Sequence, residues 1–416
     1  MQPELTLTAA QLRAGWTLGH GLDAPNAGDV LQTIARAGWP RTLGGVDVYL
    51  SLLARNPDLD PAALDRAVCV DRAAEVVPAA RGCIYVVPAS EVATCLRFAD
   101  QGWLKRTLRD CEKAGVSRTE FEAAVAAVGD ALDDTPLATE KLRERLPAGV
   151  VRSLGEAGKK VGMSTVLPAA IRALEFQGLA ARTQADGHLR NERYVWRRRS
   201  PDLSAAVAST DPLTAHRMLA QHYFAVAAPA RVRDFADWAG LGLKDAQAAV
   251  VHLDLLAATV AGCKEPYLLP AVLADRLREA VEVRSPRLLS LVDPLLDYRG
   301  NALPALFDPD YHGIELPAPG GKSAPIAQLT SLWQRCIFDG GAMCGIWEFD
   351  PDARAVVVAP FRPLAVARQR LLRIEIERTT VLLRDRLGDA RAYSLDSDKS
   401  LRERTAWVRA SAARWA

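Results

Sequence analysis

Aromatic residues are scarce, at 6% of the chain, so any core has to be built mainly from Ala, Leu and Val. No run approaches the roughly 18 apolar residues that a membrane span needs, which excludes an ordinary spanning helix. The seven cysteines (Cys69, Cys83, Cys95, Cys111, Cys263, Cys336 and Cys344) are odd in number and contain no CxxC pair. A disulfide framework and a structural zinc site are therefore both disfavoured, and buried, reduced thiols are expected. The opening MQPELTLTAAQLRAGW lacks a basic stretch followed by an apolar one, so the expectation is no signal peptide and a cytoplasmic location. HExxH and GxSxG are absent. Among the six histidines, His216 and His222 lie six apart on one expected helix and do not share a face. Gly320-Gly-Lys-Ser323 ends like a phosphate loop, but Leu316 stands where that motif has its first glycine. No metal and no cofactor are expected.

At 416 residues the chain implies about two to four domains. With 49% apolar and 25% charged residues it has the balance of an ordinary globular protein, which excludes disorder as the dominant state. The net charge of +2 says little, but its distribution says more. Residues 139–199 hold 13 Lys/Arg against 6 Asp/Glu, and residues 362–416 hold 13 against 7. Residues 200–283, with 7 against 10, are acidic. Two basic segments suit a polyanionic partner. Chance in an arginine-rich composition, 43 Arg to 9 Lys, is the plainer alternative.

Helical periodicity dominates the first half. Leu12, Trp16 and Leu18, then Val30, Leu31 and Ile34, then Val46, Leu50 and Leu53, then Leu64 and Val68 mark successive helices. The β-branched run Arg81-Gly-Cys-Ile-Tyr-Val-Val-Pro88 reads as a strand. Ser117-Arg-Thr-Glu120 has capping-box spacing and opens a helix to about Leu132. A short helix follows at 140–146, then a basic, glycine-rich loop at 155–162 (GEAGKKVG), then a longer helix from Ser164 to Gly178. The dipeptide Asp186-Gly187 lies between two extended runs, 179–183 and 189–197, and signals a hairpin. Helix, helix, helix, hairpin is the order of a winged helix, a helix-turn-helix whose third helix such modules place in a DNA groove. The order recurs: Asp211 caps a helix at 212–226, helices follow at 231–239 and 244–256, and a hairpin spans 257–269. Beyond 284, prolines and glycines become frequent, Gly345–Phe349 and Ala355–Ala359 flank Asp350-Pro-Asp-Ala353 as paired strands, and a long amphipathic helix is expected at 363–387.

The expected fold class is mainly α with short β-hairpins (α+β). The expected domains are an N-terminal helical, winged-helix-like domain at 1–110, a central winged helix at 111–200, a further winged helix at 201–283 and an α+β C-terminal domain at 284–416.

Several stretches resemble one known family, the winged-helix crosslink DNA glycosylases (AlkZ-like and YcaQ-like). They are Tyr49-Leu-Ser-Leu-Leu-Ala-Arg55, Arg81-Gly-Cys-Ile-Tyr-Val-Val-Pro-Ala89, RVRDFADWAGL at 231–241, Leu291-Val-Asp-Pro-Leu-Leu-Asp297, and Gly345-Ile-Trp347 through Ala359-Pro-Phe361. The resemblance implies tandem winged helices forming a concave basic surface for double-stranded DNA and a role in DNA repair. It also implies a Gln-x-Gln or Gln-x-Asp catalytic motif after a Gly-apolar pair in the first domain. Here that segment reads Gly38-Trp-Pro-Arg-Thr-Leu-Gly-Gly45. One register places Pro40 and Thr42 at the motif positions, and the other places Arg41 and Leu43 there. Neither offers an amide or a carboxylate. Gln32 and Asp47 are the nearest such residues, and Asp47 is the weak catalytic candidate.

Base excision needs a positioned water and stabilisation of the positive charge that develops on the sugar. Pro40 and Leu43 supply neither, Thr42 is a poor base, and Arg41 has the wrong sign. Arg41 suits a phosphate contact instead. The other expected DNA contacts are Arg81, Gly82, Lys159, Lys160, Arg172, Arg190, Arg193, Arg197 and Arg198, with Tyr194 and Trp196 alternating among them. If about five such cations meet phosphates, log K falls with log salt at a slope near −4.5. Four readings stay open: a DNA-binding repair or damage-recognition protein, an active glycosylase with substituted residues, an operator-binding regulator, and a protein-binding scaffold. A monomer is expected, with no membrane partner and no protein partner specified.

Overall fold

Thr8 ends one element and starts another. Its hydroxyl accepts from the Gln11 backbone N–H at 3.2 Å, and the Gln11 side chain accepts from the Thr8 N–H at 3.0 Å. This reciprocal cap sets the start of the helix Ala9–Gly19 directly after the strand Leu5–Leu7. The computed structural model describes residues 5–415 apart from 26, 100–101, 280, 282, 284 and 319–321. Helix makes up 50% and strand 17%, so the chain is a mixed α/β protein with small sheets. Among the described residues no helix is long and apolar enough to cross a membrane.

Two compact units form, one from Met1–Ala67 with Ala220–Ala416 and the other from Val68–Leu219. The first is built on an antiparallel sheet with the strand order Ala355–Pro360, Ala342–Asp350, Arg335–Asp339, Arg287–Leu289. The turn at 351–354 joins the two strands that the sequence pairs. The strands Arg287–Leu289 and Arg335–Asp339 are additions to that pair. Helices Val366–Val381 and Asp398–Trp415 lie against this sheet. The core below it is aliphatic with a few rings, including Trp16, Leu289, Leu303, Phe307, Ile346 and Phe361. A second sheet pairs Leu256–Val260 with Tyr267–Leu269 as a hairpin, and the opening strand Leu5–Leu7 adds to it in parallel.

In the second unit, Ala74–Pro78 and Ile84–Pro88 pair across a tight turn. Arg81 (φ 55°) and Gly82 (φ 69°) both take the left-handed conformation there. Helices Trp103–Lys113 and Arg118–Ala131 follow, the latter capped by Ser117, whose hydroxyl accepts from Glu120 N–H at 3.1 Å. Then come Thr139–Glu144, Gly155–Lys160, Leu167–Phe176 and the antiparallel pair Ala180–Gln184 with Tyr194–Arg198, to which Leu137–Ala138 adds a third strand. Phe121, Val128, Leu142, Leu154, Ile171, Leu174 and Trp196 make its core.

Two local expectations change. Residues 155–160 of the expected basic loop are a short helix. Gly158 is there for packing, since a Cβ at that position would stand 2.1 Å from the Met163 carbonyl oxygen. The hairpin is also shorter and its loop longer than Asp186-Gly187 suggests, because Gln184 pairs with Tyr194 and leaves 185–193 as the connection. Leu189 is fully buried in that connection, which draws it out of the strand.

Candidate functional site

The segment that should carry the catalytic motif lies in the first unit, between helices Val30–Ala37 and Asp47–Leu53. Asp29 caps the former by accepting from Gln32 N–H at 2.8 Å, and the Gln32 side chain accepts in return from Asp29 N–H, so Gln32 is a capping residue. The segment is packed in place. Leu43 O accepts from Ser394 N–H at 2.9 Å, and Arg391 O accepts from Val46 N–H at 2.8 Å. Gly45 (φ 77°) would clash if it carried a side chain, because a Cβ there meets Arg391 O at 2.2 Å.

Pro40 and Thr42 are buried and Leu43 is half-buried. The Thr42 hydroxyl accepts from Gly44 N–H at 3.3 Å, within its own turn. Trp39 stacks on His222 with centroids 3.7 Å apart, and His222 Nε2 lies 2.9 Å from the Tyr298 hydroxyl. Tyr298 stacks in turn on Trp238 at 4.4 Å. Burial lowers the His222 pKa to about 3, so this imidazole is neutral at physiological pH.

Asp47 is fully committed. Its carboxylate accepts from Arg335 at 2.6 and 3.2 Å and from Leu291 N–H at 2.7 Å. Arg335 also donates to Glu348 at 2.8 Å, Glu348 pairs with Arg404 at 2.6 Å, and Arg404 pairs with Asp396 at 2.7 Å. Desolvation raises the Asp47 pKa against the opposing pull of the Arg335 charge. This is a buried structural network rather than an open site.

One carboxylate that the sequence reading passed over does reach the segment. Arg41 Nη1 lies 3.4 Å from Asp297 Oδ1, with the Asp297 side chain 7% exposed. Asp297 ends the short helix Pro294–Asp297, which Asp293 caps through Leu295 N–H at 2.9 Å. The signal was present in the Leu291-Val-Asp-Pro-Leu-Leu-Asp297 stretch, but 256 residues separate its last aspartate from Arg41.

All the other expected DNA contacts lie in the second unit. Arg81 is exposed on its turn. Gly82 O accepts from Arg172 at 2.7 Å, so Arg172, 22% exposed, braces that turn. Lys159 is exposed but pairs with Glu156 at 2.5 Å. Lys160, Arg190, Arg193, Arg197 and Arg198 have no carboxylate within ion-pair distance among the described residues. Strand alternation turns Tyr194 and Trp196 onto the core, where Arg182 stacks on both rings, and leaves Arg197 facing outward.

The second basic segment behaves differently. Arg368, Arg378, Arg384, Arg386, Arg391, Arg402, Arg404 and Arg409 each pair with a carboxylate. Its positive charge is largely spent inside the first unit.

No clusters of His, Cys, Asp or Glu suited to a metal occur among the described residues. All seven cysteines are free thiols, and burial pushes Cys95 and Cys336 up, away from nucleophilic character. Of the Gly320-Gly-Lys-Ser323 motif, 320–321 lie outside the described residues. Lys322 and Ser323 stand in a strand rather than at a helix N-terminus.

A mixed α/β chain of two units, with an arginine-bearing hairpin and a packed loop at 38–45, defines a class of fold that comparison makes specific. The model of the family "DNA glycosylase AlkZ-like" matches residues 45–381, and the chain belongs to that family. The match begins at Gly45, so residues 38–44 lie outside it. Among solved structures, Streptomyces sahachiroi DNA glycosylase AlkZ superposes with a TM-score of 0.70 at 16% identity, over 93% of this chain and 98% of that one. At that identity the likeness establishes the fold. No curated protein sequence matches the chain.

Proposed function

We propose that this chain binds duplex DNA through its second unit and serves in DNA repair as a damage-recognition protein. Residues 111–200 and 201–283 would be its tandem winged helices, the former within that unit and the latter mostly within the first unit. The observation that carries this reading is the contrast in arginine pairing. Among the described residues, Arg190, Arg193, Arg197 and Arg198 on one hairpin have no carboxylate partner, whereas eight of the twelve arginines in residues 362–416 have one. Unpaired surface guanidinium groups are what a phosphate backbone recruits.

A second reading is favoured by one contact. Asp297 beside Arg41 puts a carboxylate at the loop that lacks its own, so a glycosylase with a relocated acid is chemically reasonable. A carboxylate can orient water and oppose the positive charge on the sugar, which Pro40 and Thr42 cannot.

Fluorescence anisotropy with a labelled duplex over a salt series tests the first reading. The expected result is tight binding whose log K falls linearly with log salt, and binding without salt dependence would overturn it. A gel assay with alkylated or crosslinked duplex separates the second. Abasic product that is lost in Asp297→Asn supports a relocated acid, and intact DNA supports recognition alone. Binding to one particular sequence about a thousandfold tighter than to random duplex would instead mark an operator-binding regulator.

A further inference from the structure

In the second unit, the segment after the π-helical turn Arg66–Val70 and the hairpin strands Ala180–Gln184 and Tyr194–Arg198 enclose a small notch. Three arginines (Arg72, Arg182 and Arg197) and one glutamate (Glu75) line it. Arg182 pairs with Glu175 at 2.5 Å and Arg199 with Glu75 at 2.7 Å. The remaining two, Arg72 and Arg197, both line the notch and have no carboxylate within ion-pair distance among the described residues. Arg72 is held there by a left-handed backbone (φ 55°), rare for a residue with a side chain.

Gln184, which also lines the notch, carries an unmet donor. Gln184 is 4% exposed, and its Oε1 accepts from the Cys69 thiol at 3.4 Å. That contact leaves Nε2 as the free end of the amide, and it is buried with no hydrogen-bond partner among the described residues. A buried N–H group without an acceptor forfeits its hydration with nothing in return. The two excess guanidinium groups and this amide are all donors, and an acceptor with negative charge satisfies all three.

We infer that Arg72, Arg197 and Gln184 form a phosphate-binding notch, with one phosphate oxygen entering it and the rest of the group outside. Desolvation and then the neighbouring Arg72 and Arg199 charges lower the Arg197 pKa, with Glu75 and Asp134 opposing, so added negative charge there relieves repulsion. Under the DNA-binding reading, on which this rests, the occupant is a backbone phosphate diester. A free phosphate ion has the same chemistry.

The test uses the full chain and three variants, Arg72→Gln, Arg197→Gln and Gln184→Met, each checked for an unchanged melting temperature. With labelled duplex, each arginine variant should bind several-fold more weakly, and the double arginine variant, which loses the one phosphate contact, should reduce the salt slope by about 0.9. Arg72→Lys should keep the slope. Equal affinity and slope in wild type and in the double arginine variant would overturn the notch. If wild type binds no duplex, the DNA reading falls and the notch is judged by inorganic phosphate alone. Phosphorus NMR line broadening with wild type that is lost in the double arginine variant and in Gln184→Met supports it as a free-phosphate site. Identical spectra overturn it.

Discussion

Arg55 and Asp293 form a two-pronged ion pair, at 2.5 and 2.8 Å, with neither side chain exposed. They join two of the family-like stretches, YLSLLAR and LVDPLLD, across 238 residues of sequence. Arg55 also donates to the His20 and Ser51 carbonyls, and Asp293 caps the helix that carries Asp297 to Arg41. The pair therefore positions the carboxylate that meets Arg41. Removing one partner of a buried pair strands the other charge, which typically costs about 3–5 kcal/mol. Asp293→Ala should lower the unfolding free energy by about that much in urea titrations. Arg55→Met with Asp293→Leu together should recover part of the loss. A single variant as stable as wild type would refute the account.

Asp47 poses a sharper question, because residue type and position made it a catalytic candidate. Bonded to Arg335 and Leu291 N–H and 2% exposed, it has no face left for a substrate. Asp47→Ala should therefore destabilise the fold by about 3–5 kcal/mol. Any change in DNA affinity should follow the loss of folded protein. A variant that melts like wild type yet loses a glycosylase activity would return Asp47 to the chemistry.

Local chemistry was the legible part. The cap at Ser117, the helix after Asp211 and the strands around Asp350-Pro-Asp-Ala353 follow from short-range rules, and each lies where those rules put it. The strands Arg287–Leu289 and Arg335–Asp339 escaped the pattern because each begins with a buried arginine, satisfied by partners distant in sequence. Strand Leu5–Leu7 escaped because its partner, Leu256–Val260, lies about 250 residues away. The site follows the same division. Lack of an amide or carboxylate in residues 38–45 is plain in the sequence, whereas Asp297 beside Arg41 and Gln184 lining one notch with Arg72 and Arg197 depend on tertiary proximity.

Acid should weaken the first unit through its histidines. Burial lowers His222 to about 3, and burial followed by the Arg299 charge lowers His20 well below 6.5. Both are neutral when folded and regain an ordinary pKa on unfolding, so the unfolded chain binds more protons in acid. Their contribution is complete above about pH 6.5 and is lost as pH falls toward about 3, at up to ~1.4 kcal/mol per pH unit for each histidine. Urea unfolding between pH 7 and 5, above the range where ordinary carboxylates titrate, should show this decline. His222→Gln should make it shallower, and an unchanged slope would count against the assignment.

The arginine contrast yields a prediction with its own control. Changing Arg190, Arg193, Arg197 and Arg198 together to Gln removes up to four phosphate contacts and should flatten the salt dependence of duplex binding by up to about 3.6 in slope. Changing Arg384 and Arg402 to Gln removes cations already paired with Asp385 and Asp352, so the slope should stay where it was. Both sets are surface changes, which keeps folding out of the comparison. Net charge falls in both, so a non-specific effect of charge would weaken binding in both in proportion to the number of arginines removed. Loss confined to the hairpin set would instead locate the phosphate contacts there, and equal loss per arginine in the two sets would remove the reason for assigning DNA to the second unit.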